Sequence, residues 1–254
     1  MLRTRVIPCL LLRNRGLVKT RKFKEPVYVG DPINAVRIFN EKEVDELVFL
    51  DITATPEGRG PDFDLIRDIA SETFMPFAYG GGITTLEHAR QLFKLGVEKV
   101  VLNTAAASDP GLVSAIADIA GSQSVVVSVD VKRSLLGKYQ VHTRAGQKGL
   151  GLDPVEYAQR MEHAGAGELL LTAIDRDGCM NGYDTPLLKS VSTAVSIPVV
   201  ASGGASSLQD FRTAVEAGAS AVAAGSMFVF HGKHRAVLIT YPEHSELQRV
   251  LAAS

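Results

Sequence analysis

A string of residues near position 80 comes back near position 200. Pro76-Phe-Ala-Tyr-Gly-Gly-Gly-Ile-Thr-Thr-Leu86 aligns with Pro198-Val-Val-Ala-Ser-Gly-Gly-Ala-Ser-Ser-Leu208, 122 residues further on, and the register persists beyond it, with Gly96 on Gly218 and Thr104 on Ser226. The first apolar run also has a counterpart: Arg5-Val-Ile-Pro-Cys-Leu-Leu11 matches Ser124-Val-Val-Val-Ser-Val-Asp130, 119 residues on. A chain whose second half repeats its first can take only folds that divide into two similar halves.

Short β-branched runs at 5–12, 46–52, 76–80, 99–103, 124–131, 168–173, 198–202 and 219–224 read as strands, most of them followed by a segment of helical period. Residues 85–95, for example, put Leu86, Ala89, Leu92 and Phe93 on one face and stop at Gly96; residues 208–217 stop in the same way at Gly218. Such alternation implies parallel strands joined by crossover helices, and eight strands close a barrel. The expected fold is therefore a single α/β domain over residues 1–254, a (β/α)8 TIM barrel of two similar half-barrels, about 1–122 and 123–254. Its 254 residues suit that architecture. Two connections, 13–30, rich in basic residues, and 132–151, where 138–143 alternates like a hairpin strand, are long enough to be binding loops or lids.

With a formal charge of −1, the chain carries no broad positive field for nucleic acid or an anionic membrane, so any anion site must be local. Cys9 and Cys179 are too few for a disulfide framework or zinc cluster, and the six histidines, read as lying on helices or in polar loops, have no metal-site spacing. No metal or cofactor is expected. The N-terminal run, Pro8 included, reads as a first strand rather than a signal peptide, no run is long enough to span a membrane, and the cytoplasm is the expected compartment.

Active sites of parallel barrels lie at the C-terminal strand ends. There Gly80-Gly81-Gly82 with Thr84 and Thr85, and Ser202-Gly203-Gly204 with Ser206 and Ser207, offer backbone N–H groups and helix starts to phosphate; Asn103-Thr104 and Gly225-Ser226 add donors beside each turn. One glycine run alone is satisfied by a tight turn, but two at equivalent places point to a substrate with two phosphates. Asp51, Asp130 and the string Asp175-Arg176-Asp177-Gly178 end apolar strands. Asp130 and Asp177 read as functional carboxylates, whereas Asp51 fits loop bracing or substrate binding equally.

Glu46-Leu-Val-Phe-Leu-Asp-Ile-Thr-Ala54, Gly80-Gly-Gly82, Asn103-Thr-Ala-Ala106, Asp175-Arg-Asp-Gly178, Gly182-Tyr-Asp184 and Ala201-Ser-Gly-Gly204 span the chain. Together they resemble the cyclase subunit of imidazole glycerol phosphate synthase. That resemblance implies a barrel that takes ammonia from a glutaminase docked at its N-terminal face. With it the barrel cleaves and cyclises a bis-phosphorylated ribonucleotide of histidine biosynthesis into imidazole glycerol phosphate and aminoimidazole carboxamide ribotide. Carried over by residue, the phosphate ligands fall on Gly82, Asn103 and Thr104 at one end and on Asp177, Gly178, Gly204 and Ser226 at the other. Lys19 becomes the lysine of a flexible first loop that closes over substrate, and Arg5, Glu46, Lys99 and Glu168 become the charged ammonia gate.

One position departs from the family. Its members use two strand-end aspartates, one from each half, as general acid and base; here Asp130 is kept and Leu11 occupies the other place. Leucine cannot transfer a proton. The loop Leu12-Arg-Asn-Arg-Gly16 also lacks the family's acidic character. The pattern resembles second copies of the cyclase that accompany a glutaminase and a sugar amidotransferase in surface-polysaccharide pathways. Three readings remain open: a paralogue supporting amidation of an amino sugar, an authentic histidine-pathway cyclase, and a catalytically silent activator of the glutaminase that conducts its ammonia. A sister two-phosphate isomerase of histidine biosynthesis fits less well, since it should keep an aspartate at position 11 and needs no ammonia gate.

Overall fold

The short apolar runs are bounded by helical segments and turns, and in the computed structural model, which describes residues 4–134 and 136–252, they form a closed parallel barrel. Residues 1–3, part of the N-terminal reading above, lie outside the described residues. In the first half the order is β1 (Arg5–Arg13), β2 (Gly16–Arg21), β3 (Lys24–Gly30), α1 (Pro32–Glu41), β4 (Leu47–Asp51), α2 (Phe63–Glu72), β5 (Phe77–Gly80), α3 (Leu86–Lys94), β6 (Lys99–Leu102), α4 (Thr104–Ser108) and α5 (Pro110–Ala120). The rest of the chain continues with β7 (Val125–Arg133), β8 (Tyr139–Thr143), β9 (Lys148–Gly149), α6 (Pro154–His163), β10 (Glu168–Ala173), α7 (Thr185–Ser192), β11 (Val199–Ser202), α8 (Leu208–Glu216), β12 (Ala221–Ala224), α9 (Ser226–Val229), β13 (Phe230–His231), β14 (Ala236–Val237) and α10 (His244–Leu251).

The barrel runs β1-β4-β5-β6-β7-β10-β11-β12 and closes where β12 pairs in parallel with β1, Arg5 opposite Ala221 and Pro8 opposite Ala224. All eight expected strands are present, with ends shifted by at most two residues. Helices start where capping chemistry allows. Asp31 accepts from the Asn34 amide ahead of Pro32, Asp153 caps α6 ahead of Pro154, and Ser207 with Asp210 forms a capping box on α8. Inside the barrel Ile7, Val48, Val101, Val126, Leu170 and Val200 form a small apolar plug, separate from the larger core between strands and helices.

The basic segment 13–30 is not an open loop. It folds back as β2, antiparallel to β1 with Leu11 opposite Val18, and then as β3, antiparallel to β2. In the second half β8 returns along β7 in the same way, with Asp130 opposite His142. That places His142 on a strand, and His231 lies on β13, contrary to the expectation that every histidine sits on a helix or loop. Leu11 and Asp130 thus hold matching places, each between a parallel barrel neighbour and its own returning hairpin strand. Among the described residues no helix is long and apolar enough to cross a membrane.

Candidate functional site

Both glycine turns open onto the C-terminal end of the barrel. The larger cleft, about 940 Å³, takes in Leu11, Gly80, Gly82, Asn103, Thr104 and Asp130. A second arm of about 390 Å³ is lined by Lys19, Gly178, Gly203, Gly204, Gly225 and Ser226. Cys9, Leu11, Asp177 and Ser202 line both, so the two form one elongated cleft with Leu11 at its junction. Every residue expected at the phosphates borders this cleft.

The glycines are dictated by close backbone approach. Gly82 has φ +70°, and a Cβ there would lie 2.6 Å from the Arg59 carbonyl oxygen; at Gly204, φ +113°, a Cβ would run into the Gly182 carbonyl oxygen. Asn103 and Gly225 precede the short helices α4 and α9 at corresponding places, so Thr104 and Ser226 each begin one. Barrels frequently bind phosphate at such short extra helices.

Not every candidate side chain is free for a ligand. The Asn103 amide donates to the Ser128 carbonyl at 3.0 Å and to Asp130 and the His142 carbonyl, both at 3.3 Å, which ties β6 to β7 and β8. Thr104 Oγ1 accepts from the Arg144 amide at 2.9 Å. Asp51 Oδ1 accepts from the Thr53 amide and hydroxyl at 2.9 and 2.8 Å and from the Ala54 amide at 3.0 Å, with Arg59 3.7 Å from its other oxygen. Of the two roles left open for Asp51, loop bracing is the one these bonds perform, although the residue also lines the cleft.

Lys19 corrects its expected place. It sits buried on β2, not on a flexible loop, with its ammonium bonded to the Cys9 carbonyl and packed where a Cβ on Gly225 would otherwise go. Burial lowers its pKa, opposed by the charges of Cys9 and Asp177. Burial also pushes the Cys9 thiol up to about 11 and raises the Asp177 carboxyl, which Lys19 and the Thr20 hydroxyl, 3.1 Å away, partly offset.

Asp130 is 7% exposed and burial pushes it up to about 7, against a lowering from the Ser128 hydroxyl 2.9 Å away and with a further rise from the Asp177 charge. A carboxyl poised there exchanges protons near neutral pH. Its unfolded-state pKa is near 3.9, so between about pH 4 and 7 the folded protein holds a proton that the unfolded chain has lost, and stability falls as pH rises. We expect Asp130→Asn to flatten that slope, by up to about 1.4 kcal/mol per pH unit, in urea titrations at pH 5, 6, 7 and 8. An unchanged slope would place the raised pKa elsewhere.

At the opposite end of the barrel, Arg5 pairs with Glu46 and Glu168, and Lys99 lies 2.9 Å from each of the same two carboxylates. All four expected gate residues therefore close into one ring of alternating charge across the barrel floor. Ser128 and Thr172 were not singled out from sequence, yet they line the cleft. Alternation could have found Ser128, which is two residues before Asp130 and so on the same face of β7. Among the described residues no three His, Cys, Asp or Glu side chains are grouped to hold a metal ion.

A family model described as histidine biosynthesis protein matches residues 5–235. A Pseudomonas aeruginosa protein provisionally assigned as imidazole glycerol phosphate synthase subunit hisF2 is 56% identical over 97% of this chain and 99% of its own length. A Vibrio vulnificus protein, provisionally assigned as subunit hisF3 of the same synthase, is 49% identical over 99% of this chain and 97% of its own. The imidazole glycerol phosphate synthase subunit HisF of Hyphomonas neptunium is 48% identical over 91% of each chain.

Proposed function

This chain belongs to the histidine biosynthesis protein family, among the imidazole glycerol phosphate synthase cyclase subunits, and from that premise we propose that it is a paralogue which receives ammonia from a glutaminase and supports amidation of an amino sugar in surface-polysaccharide synthesis. The observation that carries the reading is the contrast between the two ends of the barrel. The four-charge ring is complete, whereas at the mouth Leu11 fills the place that corresponds to Asp130.

In this reading the glutaminase docks on the N-terminal face around the ring, ammonia crosses the barrel, and a separate sugar amidotransferase consumes it. Asp130, with a proton to give or take near pH 7, is half of an acid–base pair. Gly82, Asn103 and Thr104 form one phosphate cradle; Asp177, Gly178, Gly204 and Ser226, with Lys19 beside them, form the other. The numbered names of two relatives, hisF2 and hisF3, suit extra copies of the subunit.

The test is turnover of the bis-phosphorylated formimino carboxamide ribonucleotide with ammonium salt, followed as carboxamide ribotide release. Losing one member of an acid–base pair lowers the rate by about 10²–10⁴-fold, and a deficit of that size against an authentic cyclase is the expected result. Turnover at the authentic rate would overturn the proposal in favour of a histidine-pathway cyclase. Glutaminase stimulation by a barrel that supports no sugar amidation would leave only the silent-activator role.

A further inference from the structure

We propose that the second arm of the cleft takes a diphosphate, its inner phosphoryl group in the Gly178, Gly204 and Ser226 cradle and its outer one held by Lys233 and Arg235. The proposal rests on the phosphate-binding part of the reading above and names the ligand class at that end.

A chain of net charge −1 concentrates His231-Gly-Lys-His-Arg235, with no acidic residue, in five positions at the tip of the β13–β14 hairpin. The hairpin reaches a residue that lines the arm: Arg235 Nη1 donates to the Gly178 carbonyl at 3.3 Å. The same guanidinium lies over the Phe230 ring, 4.5 Å from its centre. A guanidinium has five N–H donors, and its fork matches phosphate oxygens. One donor is committed here.

A second hairpin brings more positive charge to the same turn. The Lys22 amide donates to the Asp177 carbonyl at 2.8 Å, and the Arg21 Cα lies 3.0 Å from where a Gly178 Cβ would be. Among the described residues neither Lys22, Lys233 nor Arg235 is in an ion pair. In the first-half cleft the comparable cation, Arg59, is already paired with Glu57 at 2.6 Å. Unpaired cations beside a backbone cradle recruit further anionic charge, and charge-assisted bonds to phosphoryl oxygens are the strong kind.

Calorimetric titration of the full chain with inorganic phosphate and with pyrophosphate, at one pH and ionic strength, tests this. Pyrophosphate should bind at least about tenfold more tightly, the worth of a single charged hydrogen bond. Lys233→Ala/Arg235→Ala should abolish the difference between the two anions. Lys233→Glu alone, at an exposed position with no structural bond, should weaken pyrophosphate without disturbing folding. Equal affinity for the two anions, or a pyrophosphate preference that survives the double variant, would overturn the proposal. ADP and UDP serve as further arms: binding of either with the same hairpin dependence marks a nucleoside diphosphate, and binding of pyrophosphate alone marks a bare one, each in support. Glutaminase, ammonia and ribonucleotide are absent from this experiment, so full cyclase turnover would remove the amidation reading and leave the diphosphate result standing.

Discussion

Leu11→Asp is expected to raise ammonium-dependent turnover of the bis-phosphorylated ribonucleotide by about 10²-fold or more. Position 11 is extended backbone on β1, opposite Leu50 and Val18, so an aspartate enters without changing the strand. Its side chain faces the cleft, only partly covered, which keeps the desolvation of a new carboxylate small. The Lys19 ammonium, on neighbouring β2, bonds the Cys9 carbonyl two residues before position 11 on β1 and favours the ionised form. With Asp130 holding a proton near pH 7 and the introduced carboxylate ionised, the two groups divide into acid and base. Adding Asp130→Asn to the same variant should erase the gain. A Leu11→Asp protein no faster than wild type would show that the mouth has diverged beyond one residue, with Arg13 and Arg15 the next positions to revert.

Glu46→Ala is expected to lower the unfolding free energy by about 3 kcal/mol, as removal of one partner from a buried ion pair does. Glu46 side-chain oxygens receive both Arg5 and Lys99 and are 5% exposed. Without them the two cations share Glu168 alone and repel one another across the barrel floor. Arg5 is the wettest member at 30% exposed, so part of the loss should be recovered by water, and Glu46→Gln, which keeps an acceptor, should fall between. Urea denaturation at two salt concentrations reads both. A loss below about 0.5 kcal/mol that disappears with salt would reduce the ring to solvated surface pairs.

The barrel was legible because short, largely apolar runs alternate with segments of helical period, and the site because the repeat marked equivalent strand ends. Gly82 and Gly204 could be read as close-approach positions from their strings alone. The hairpin of β2 and β3 could not: its outer face mixes exposed Val27 and Tyr28 with Lys24 and Glu25, so the alternation of a half-buried strand is blurred. Burial of Lys19 depends on β1 and on Gly225, more than 200 residues away in sequence, which no local pattern records. For Asp51 the deciding contacts were local, with Thr53 and Ala54, but a carboxylate at a strand end suits both loop and ligand until its acceptors are seen. Asn103 shows the reverse case: a residue type suited to phosphate whose amide is committed to neighbouring strands.

Closure of the barrel between β1 and β12 also sets the order in which the protein can be made. Residues 5–8 leave the ribosome more than 200 residues ahead of their parallel partners at 221–224 and of Tyr241, whose hydroxyl bonds the Val6 carbonyl at 3.0 Å. At about 5–20 residues per second the first strand waits tens of seconds with one edge uncovered. Its other edge is occupied sooner by β4, and the β2 and β3 hairpin folds locally against its far end. A nascent chain stalled at the half-barrel boundary would therefore expose an apolar strand edge, the feature most prone to pair with another copy.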